Sequence, residues 1–189
     1  MKDKLKILKN KLHGLVGDYR PSAIQLEVTN ACNFRCIMCP FHGPERSSDR
    51  AVGFMPLETY RRVLKEFKDL GGTFVIPQGA GESFLHPDFA EMLRIAKKDF
   101  NLMVGLNTNG SKLTPELMDL VLDLGIDELG FSVDAVKPGT FKEITGGNLD
   151  QVSESINVFL GKRSQRTHNL TPVVRVLMVE QETNRSEVD

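Results

Sequence analysis

All three cysteines of the 189-residue chain lie on one short segment, where Cys32, Cys36 and Cys39 form a C-x3-C-x2-C motif. Three thiolates so close in sequence can reach three corners of a cubane iron–sulfur cluster. An electron-transfer cluster of this type normally takes four cysteines. The motif therefore predicts a 4Fe–4S cluster in which one iron keeps an open position for a ligand that is not protein.

A histidine close behind the motif allows a second kind of metal site. His42 follows Cys39 by three residues, so the three cysteines and His42 match the donor set of a Cys3His zinc site. The spacing is very tight for a structural zinc ion, and nothing else in the chain requires zinc for folding. We expect the iron–sulfur cluster and keep the zinc site as the alternative.

Four further segments lie within or directly after short apolar stretches that read as strands. In barrel enzymes, polar residues at the carboxyl ends of the strands form the catalytic site. The glycine-rich segment is by itself a weak sign of a nucleotide loop, because the third glycine of a dinucleotide fingerprint is absent. The segments are Gly79-Ala80-Gly81-Glu82, Leu106-Asn107-Thr108-Asn109-Gly110, Phe131-Ser132-Val133-Asp134 and the apolar residues 173–179.

The cysteine motif and these four segments, in this order, resemble the radical S-adenosylmethionine (radical SAM) enzymes over roughly residues 21–189. The resemblance implies that the amino and carboxylate groups of S-adenosylmethionine chelate the open iron. Reductive cleavage of this cofactor then gives a 5′-deoxyadenosyl radical, which abstracts hydrogen from a peptide or small-molecule substrate. The cofactor performs the radical chemistry and the protein orients it. An electron donor such as flavodoxin or ferredoxin is implied as a partner.

The resemblance assigns roles in cofactor binding to residues around the cysteines. Met38 takes the position beside the adenine, although simple shielding of the cluster is an equal alternative. Gly81 and Glu82 match the end of the family's Gly-Gly-Glu segment, which receives the methionyl ammonium. Ala80 replaces a glycine there, and Ser83 replaces a frequent proline. The alternative for Glu82 is an acidic residue that stabilises a helix N-terminus.

Three more residues complete the predicted cofactor site. Asn109 and Ser132 follow strands, and the resemblance places Ser132 at the ribose or carboxylate of the cofactor; turn formation is the alternative for both. Arg175 lies in an apolar strand, and a buried arginine needs an anionic partner, for which the methionyl carboxylate is suitable. Many relatives instead place an arginine before a Gly-Gly pair, where this chain has Thr145 before Gly146 and Gly147.

The pattern of apolar residues predicts an α/β fold. Five apolar segments alternate with amphipathic ones, which indicates a parallel sheet with right-handed crossovers whose strands are buried on both faces. The resemblance sharpens this to a partial parallel (β/α)6 TIM-like barrel, truncated after the fifth strand. The predicted strands are 23–28, 73–76, 102–106, 128–133 and 173–179, and the predicted helices are 56–70, 87–99, 114–124 and 149–160.

Charge and composition limit the possible partners. The net charge of −1 supports no bulk attraction to nucleic acid. Residues 1–20 contain six lysines and arginines against two aspartates, and we expect an amphipathic helix there that packs beneath the barrel or binds a membrane surface. No apolar run approaches the roughly 20 residues of a transmembrane helix, and no secretory signal is visible. Clustered cysteines without such a signal favour a reducing cytoplasm.

Two domains and three functions follow as expectations. Residues 1–20 form the N-terminal helix, and residues 21–189 form a radical SAM core domain that is incomplete at its C-terminus. The first function is a radical SAM enzyme. The second is a non-catalytic iron–sulfur or zinc-binding module. The third is an inactive fragment of a radical SAM enzyme, because an open barrel edge leaves backbone groups unpaired and promotes aggregation.

Overall fold

The computed structural model describes residues 20–45, 50–166 and 171–187. The amphipathic helix predicted over residues 1–20 therefore lies outside the described residues, apart from Arg20. Five parallel strands form one open sheet in the order β1-β2-β3-β4-β5, which confirms the α/β class and the partial TIM-like barrel. The strands are β1 (Ala23–Gln25), β2 (Phe74–Ile76), β3 (Met103–Thr108), β4 (Glu128–Ser132) and β5 (Val173–Leu177).

Five α-helices connect the strands of the described chain. All four predicted helices are present, and one further helix, α4, was not predicted. α2 continues into a short π-helix, Ile95–Asp99. The helices are α1 (Leu57–Asp69), α2 (Phe89–Arg94), α3 (Pro115–Asp123), α4 (Pro138–Thr145) and α5 (Leu149–Ser164).

The core lies between the helices and the outer face of the sheet. Phe131 of β4 packs edge-on against Phe159 of α5, with 6.0 Å between the ring centroids, and both rings are fully buried. Burial of one such side chain contributes about 1.5–3 kcal/mol. Tyr60 and Leu64 bury the matching face of α1. This layer of apolar contacts fixes the strand ends from which the site is built.

The expectation that every strand is buried on both faces is wrong for the two outer strands, β1 and β5. Val173, Val176 and Leu177 are 55%, 60% and 37% exposed. Within the described residues β5 pairs with β4 on one side only, so its other edge is uncovered. A second difference concerns β3, which extends two residues beyond the predicted end. Asn107 and Thr108 therefore belong to the strand itself.

Candidate functional site

The cysteine loop, residues 29–45, leaves the sheet after β1 and wraps tightly around itself. The amide of Cys39 donates to the carbonyl of Cys36, and the amide of Gly43 donates to the carbonyl of Cys39, each over 2.9 Å. A side chain at Gly43 would place its Cβ only 2.6 Å and 2.7 Å from those two carbonyl oxygens. The tight turn behind the third cysteine therefore requires glycine at this position.

The unpredicted helix α4 holds this loop by its C-terminal carbonyls. Arg35 N donates to Thr145 O over 3.0 Å, and Ile37 N donates to Ile144 O over 2.8 Å. The last carbonyls of a helix have no partner within the helix. The cysteine loop thus satisfies the end of α4, and α4 fixes the backbone on both sides of Cys36.

An aromatic contact seals the loop from the same side. The ring of Phe34 meets the ring of Phe141 edge-on at 6.2 Å, and Phe34 is 6% exposed. Gly146 ends α4 with a φ of +70°, and the next residue, Gly147, lies directly on the Phe34 ring. A Cβ at Gly147 would lie 2.4 Å from that ring. The Gly-Gly pair after α4 therefore serves to pack Phe34 against the loop.

The three thiols open into one cleft of about 330 Å³. Burial raises the pKa of Cys32, and burial together with the nearby Asp134 carboxylate and the Cys32 thiol raises the pKa of Cys36 to about 12. Both thiols therefore keep their protons at neutral pH in the metal-free protein. Iron cations stabilise thiolates and displace such protons. The donor set thus fits a cluster of iron cations.

The walls of the cleft come from all four strand ends beside the loop. Five of the six predicted cofactor residues line it, and Arg175 does not. The lining residues are Phe34 and Met38 beside the cysteines, residues 78–82 after β2, Asn107, Thr108 and Asn109 at the end of β3, Ser132 and Asp134 at the end of β4, and Leu177, Met178 and Val179 at the end of β5.

Glu82 is a buried carboxylate that joins three parts of the site. Its Oε1 accepts from Thr108 Oγ1 at 2.9 Å and from Phe84 N at 3.2 Å, and its Oε2 accepts from Asn109 N at 2.8 Å. Burial raises the pKa of Glu82, and these three hydrogen bonds oppose that rise. Glu82 also caps the 3₁₀-helix Ser83–Leu85, so the helix N-terminus alternative describes one of its contacts.

Gly81 brings the segment after β2 against the cysteine loop. A Cβ at Gly81 would lie 2.4 Å from Ala31 O and 2.6 Å from Thr29 O. The amide of the next residue, Glu82, donates to Ala31 O over 2.7 Å. The glycine is therefore needed for close approach of two backbones, and this approach places Glu82 beside the cysteines.

Asn109 takes part in a closed ring of polar side chains. Its Oδ1 accepts from Ser111 Oγ at 2.7 Å, and its Nδ2 donates to Asn33 Oδ1 at 3.1 Å. Asn33 Nδ2 completes the ring by donating to Ser111 Oγ at 2.8 Å. The amide of Ser111 also donates to Asn109 Oδ1, as in an Asx turn. Turn formation therefore describes Asn109, and the ring joins the cysteine loop to β3.

Ser132 and Met38 face the cleft with few contacts to the protein. The Ser132 hydroxyl makes no hydrogen bond to any other residue of the described chain, although it lines the cleft at the end of β4. The Met38 side chain packs against the core, and its sulfur accepts from Gln181 Nε2 at 3.6 Å. Both side chains therefore present surface to a bound ligand.

The expectation that Arg175 is buried is wrong. Its side chain is 49% exposed, and its guanidinium is paired with the carboxylate of Glu128. Glu128 begins β4, whereas Ser132 ends it, about 13 Å further along the strand. Arg175 thus has an anionic partner within the protein, at the opposite end of the sheet from the cysteines.

Four polar residues that line the cleft were not among the predicted cofactor residues: Gln78, Asn107, Thr108 and Asp134. Asp134 is buried, and burial raises its pKa while a hydrogen bond from Val179 N lowers it. Gln78 Oε1 accepts from Asn107 Nδ2 at 2.8 Å at the base of the cleft. Asp134 lies in the quoted segment after β4 and could have been selected from it. Asn107 was expected beyond β3, and no signal distinguished Gln78.

The position of His42 tests the alternative of a Cys3His zinc site. Nε2 of His42 is buried and makes no hydrogen bond within the described chain. His42 does not line the cleft into which the thiols open. Across residues 20–45, 50–166 and 171–187, no three histidine, cysteine or acidic side chains are grouped so that they could hold a single metal ion. This geometry gives no support to a mononuclear zinc site.

The fold and the cleft define an open parallel α/β barrel with three thiols at the carboxyl ends of its strands. The model of the radical SAM superfamily matches residues 26–181. The chain belongs to the radical SAM superfamily, a family of enzymes whose members bind a 4Fe–4S cluster and S-adenosylmethionine. The family resemblance read from the sequence is thus confirmed.

The chain is similar to GTP 3′,8-cyclases among curated proteins. It is 32% identical over 136 residues to the protein of Vibrio vulnificus strain YJ016, covering 71% of this chain and 40% of that protein. The protein of Aeromonas hydrophila is 34% identical over 142 residues, covering 72% of this chain and 41% of that protein. The chain thus spans about two fifths of the length of these relatives.

Solved structures show the same fold at low sequence identity. SuiB of Streptococcus suis bound to the precursor peptide SuiA has a TM-score of 0.75 and 15% identity, over 99% of this chain and 40% of that chain. The anSMEcpe structure with bound AdoMet has a TM-score of 0.66 and 18% identity, over 82% of this chain and 43% of that one.

No helix among the described residues is long and apolar enough to cross a membrane.

Proposed function

We propose that this chain is the core of a radical SAM enzyme in which Cys32, Cys36 and Cys39 hold a 4Fe–4S cluster. The main support is that all three thiols open into one cleft, which five of the predicted cofactor residues also line. When bound, the reduced cluster and S-adenosylmethionine supply the radical that abstracts hydrogen from a substrate. The work of the chain is to bind, orient and shield these groups.

The residues around the cleft divide this work. Glu82, held by three donors, fixes the edge that receives the methionyl ammonium, and Gly81 lets the backbone approach there. The Ser132 hydroxyl, which has no hydrogen-bond partner among the described residues, can donate to the ribose or the carboxylate of the cofactor. Met38 covers the cleft beside the adenine, and Asn109 keeps the cysteine loop in register with β3. Arg175 is left out, because Glu128 already binds its guanidinium.

A cluster with His42 as a fourth protein ligand is the competing function, a non-catalytic iron–sulfur module. The buried, unpartnered Nε2 of His42 is the observation in its favour. The position of His42 outside the cleft argues against it, since a fourth ligand must reach the same cubane as the thiols. A mononuclear zinc site would need donors that converge on one ion, and the described residues contain no such group.

The partners of this enzyme core are proposed from the same site. A low-potential electron donor such as flavodoxin or ferredoxin reduces the cluster, and a reducing cytoplasm keeps the three cysteines free to bind iron. The substrate is a peptide or a small molecule. GTP 3′,8-cyclases and the peptide-bound SuiB represent these two classes among the proteins that the chain resembles. Residues 21–189 form the core domain in this proposal.

Anaerobic reconstitution with iron and sulfide, followed by electron paramagnetic resonance of the reduced protein, tests the proposal. We expect a cubane signal that changes shape when S-adenosylmethionine is added, because the cofactor binds the open iron. A cubane signal that the cofactor leaves unchanged would favour the module with a fourth protein ligand. Zinc in place of iron after purification would favour the zinc-binding module, and metal analysis measures this directly.

A further inference from the structure

We propose that residues 178–187, which we call the strap, form a wall of the cofactor cleft, and that Asn184 is the positioning residue that holds this wall. The inference rests on the proposed function, since it assigns the wall to S-adenosylmethionine binding. The strap begins after the end of β5 and contacts the loop after β4 through the hydrogen bond from Asn184 Nδ2 to Asp134 O. Neither the cysteine motif nor the predicted cofactor residues include it.

Asn184 is fully buried, and its side chain satisfies three backbone groups. Its Nδ2 donates to Asp134 O at 2.7 Å and to Val179 O at 2.8 Å, while its Oδ1 accepts from Gln181 N at 2.7 Å. The amide of Val179 also donates to Asp134 Oδ1 at 3.0 Å. One asparagine therefore ties the end of β5 to the end of β4 and closes the strap on itself.

The strap faces the cofactor cleft and contacts the cysteine loop. Met178 and Val179 line the same cleft as Glu82 and Asn109. Gln181 Nε2 donates to the sulfur of Met38, the residue before the third cysteine. A shift of the strap would therefore move one cleft wall and one neighbour of the cluster ligands, without touching a cysteine.

The far end of the strap is anchored on α4. The Glu187 carboxylate accepts from Val136 N at 2.8 Å, from Lys137 N at 3.0 Å and from Thr140 Oγ1 at 2.7 Å. These donors lie at the N-terminus of α4, where a carboxylate is favourable. Since the other end of α4 holds the cysteine loop, the strap is fixed to the same helix as the cluster ligands.

These contacts indicate that Asn184 fixes the position of one wall of the cleft. Replacing it with alanine leaves the carbonyls of Asp134 and Val179 and the amide of Gln181 without partners, so the strap must move to reach water. The cysteine loop keeps its hydrogen bonds to α4 and to Asn109. We therefore expect Asn184→Ala to bind the cluster and to lose affinity for S-adenosylmethionine by about 10- to 100-fold, as is typical for residues that orient a site indirectly.

Asn148→Ala is the matched control. Asn148 also accepts from two backbone amides, those of Asp150 and Gln151, but at the N-terminus of α5, and it does not line the cofactor cleft. Iron content, cubane signal, thermal midpoint and cofactor dissociation constant are measured for both variants and the wild type. A second variant, Glu187→Ala, releases the C-terminal end of the strap from α4 and should weaken cofactor binding in the same direction to a smaller extent.

Hydrogen–deuterium exchange of the cofactor-free chain tests the strap without any ligand. Asn184→Ala should speed exchange across residues 178–184, whereas Asn148→Ala should not. Unchanged exchange there, or equal cofactor affinity in Asn184→Ala and wild type, would overturn the inference. An equal loss of affinity in both asparagine variants would also overturn it, because the effect would then follow stability alone. A wild type whose cubane signal ignores the cofactor would instead refute the proposed function.

Discussion

The strand ends beside the cysteines and the open edge along β5 differ in how completely their side chains are buried and paired within the protein. Beside the cysteines, polar groups are buried and paired: Glu82 is 4% exposed with three donors, and Asn109 is 9% exposed within a hydrogen-bonded ring. Along β5, apolar side chains face solvent, and Val176 is 60% exposed. The difference shows that contacts between loops, rather than closure of the barrel, preorganise the cleft.

The largest effect should come from removing one of the three thiols at the strand ends. Cys36→Ser should reduce bound iron from about four atoms per chain to near background after reconstitution, because the cubane loses one of three protein ligands. His42→Ala should keep the wild-type iron content and cubane signal. Iron analysis and visible absorption measure both variants. A cluster lost in His42→Ala would show that this histidine is a ligand.

The next effect concerns the buried carboxylate. Glu82→Gln places an amide donor against Asn109 N, and an unpaired buried donor should lower the free energy of unfolding of the cluster-free protein by about 1–3 kcal/mol. Denaturant unfolding of this variant and of Glu143→Gln, an exposed carboxylate on α4, measures the loss. The control should change by less than about 0.5 kcal/mol. Equal effects would mean that the three donors to Glu82 add little.

The same variant should change the pH dependence of stability. Burial raises the pKa of Glu82 in the folded state above its ordinary value of 4.5. The folded state therefore binds more protons than the unfolded state above pH 4.5, and this contribution to stability falls as the pH rises through the folded pKa. Glu82→Gln should flatten that part of the profile, as unfolding curves across pH 4–8 would show. An identical slope in both proteins would refute the raised pKa.

A smaller effect is expected from Ser132, at the end of β4 beside the cysteines, and almost none from Arg175 on β5. Ser132→Ala should weaken S-adenosylmethionine binding by up to about tenfold, because one hydrogen bond contributes roughly 0.5–1.5 kcal/mol. Arg175→Gln should leave the affinity within about twofold and cost less than about 1 kcal/mol of stability, since its pair with Glu128 is half-exposed. Titration of the reconstituted protein gives both affinities. A larger loss of affinity in Arg175→Gln than in Ser132→Ala would show that Arg175 takes part in cofactor binding.

The smallest effect belongs to the exposed edge. Val176→Lys adds a charge where the side chain already faces solvent, so stability should change by less than about 0.5 kcal/mol. Light scattering of the concentrated protein should fall, because a lysine on an exposed strand edge opposes pairing with another chain. Strong scattering that persists in the variant would show that aggregation arises elsewhere.

Most of the fold could be predicted because it depends on local sequence. Apolar residues at helical spacing revealed α1, α2 and α5, and Thr114 followed by Pro115 marked the start of α3. The spacing of the cysteines indicated a cluster from three residues alone. The helix α4 escaped prediction for a physical reason. Pro138 and Gly139 read as a turn, and the carboxylate that caps this helix, Glu187, lies 50 residues after Lys137.

The site was less predictable where contacts between residues distant in sequence determine the burial and the partners of a side chain. The apolar neighbours of Arg175 suggested burial, but burial depends on which strand covers it, and β5 is covered on one side only among the described residues. Nothing in the sequence marked Asn184, because its contact to the end of β4 is with Asp134, 50 residues earlier in the chain. Glu82 was found from its motif, whereas its three donors were visible only in three dimensions.

The helix α4 makes two distant parts of the molecule energetically dependent on each other. Its first turn is held by Glu187, and its last carbonyls hold Arg35 and Ile37 of the cysteine loop. Free energies of substitution add only when the altered sites share no partners or rigid element. A double-mutant cycle that pairs Glu187→Ala with Ile37→Pro, which removes the amide donor to Ile144 O, should therefore be non-additive, although the two residues contact opposite ends of an eight-residue helix.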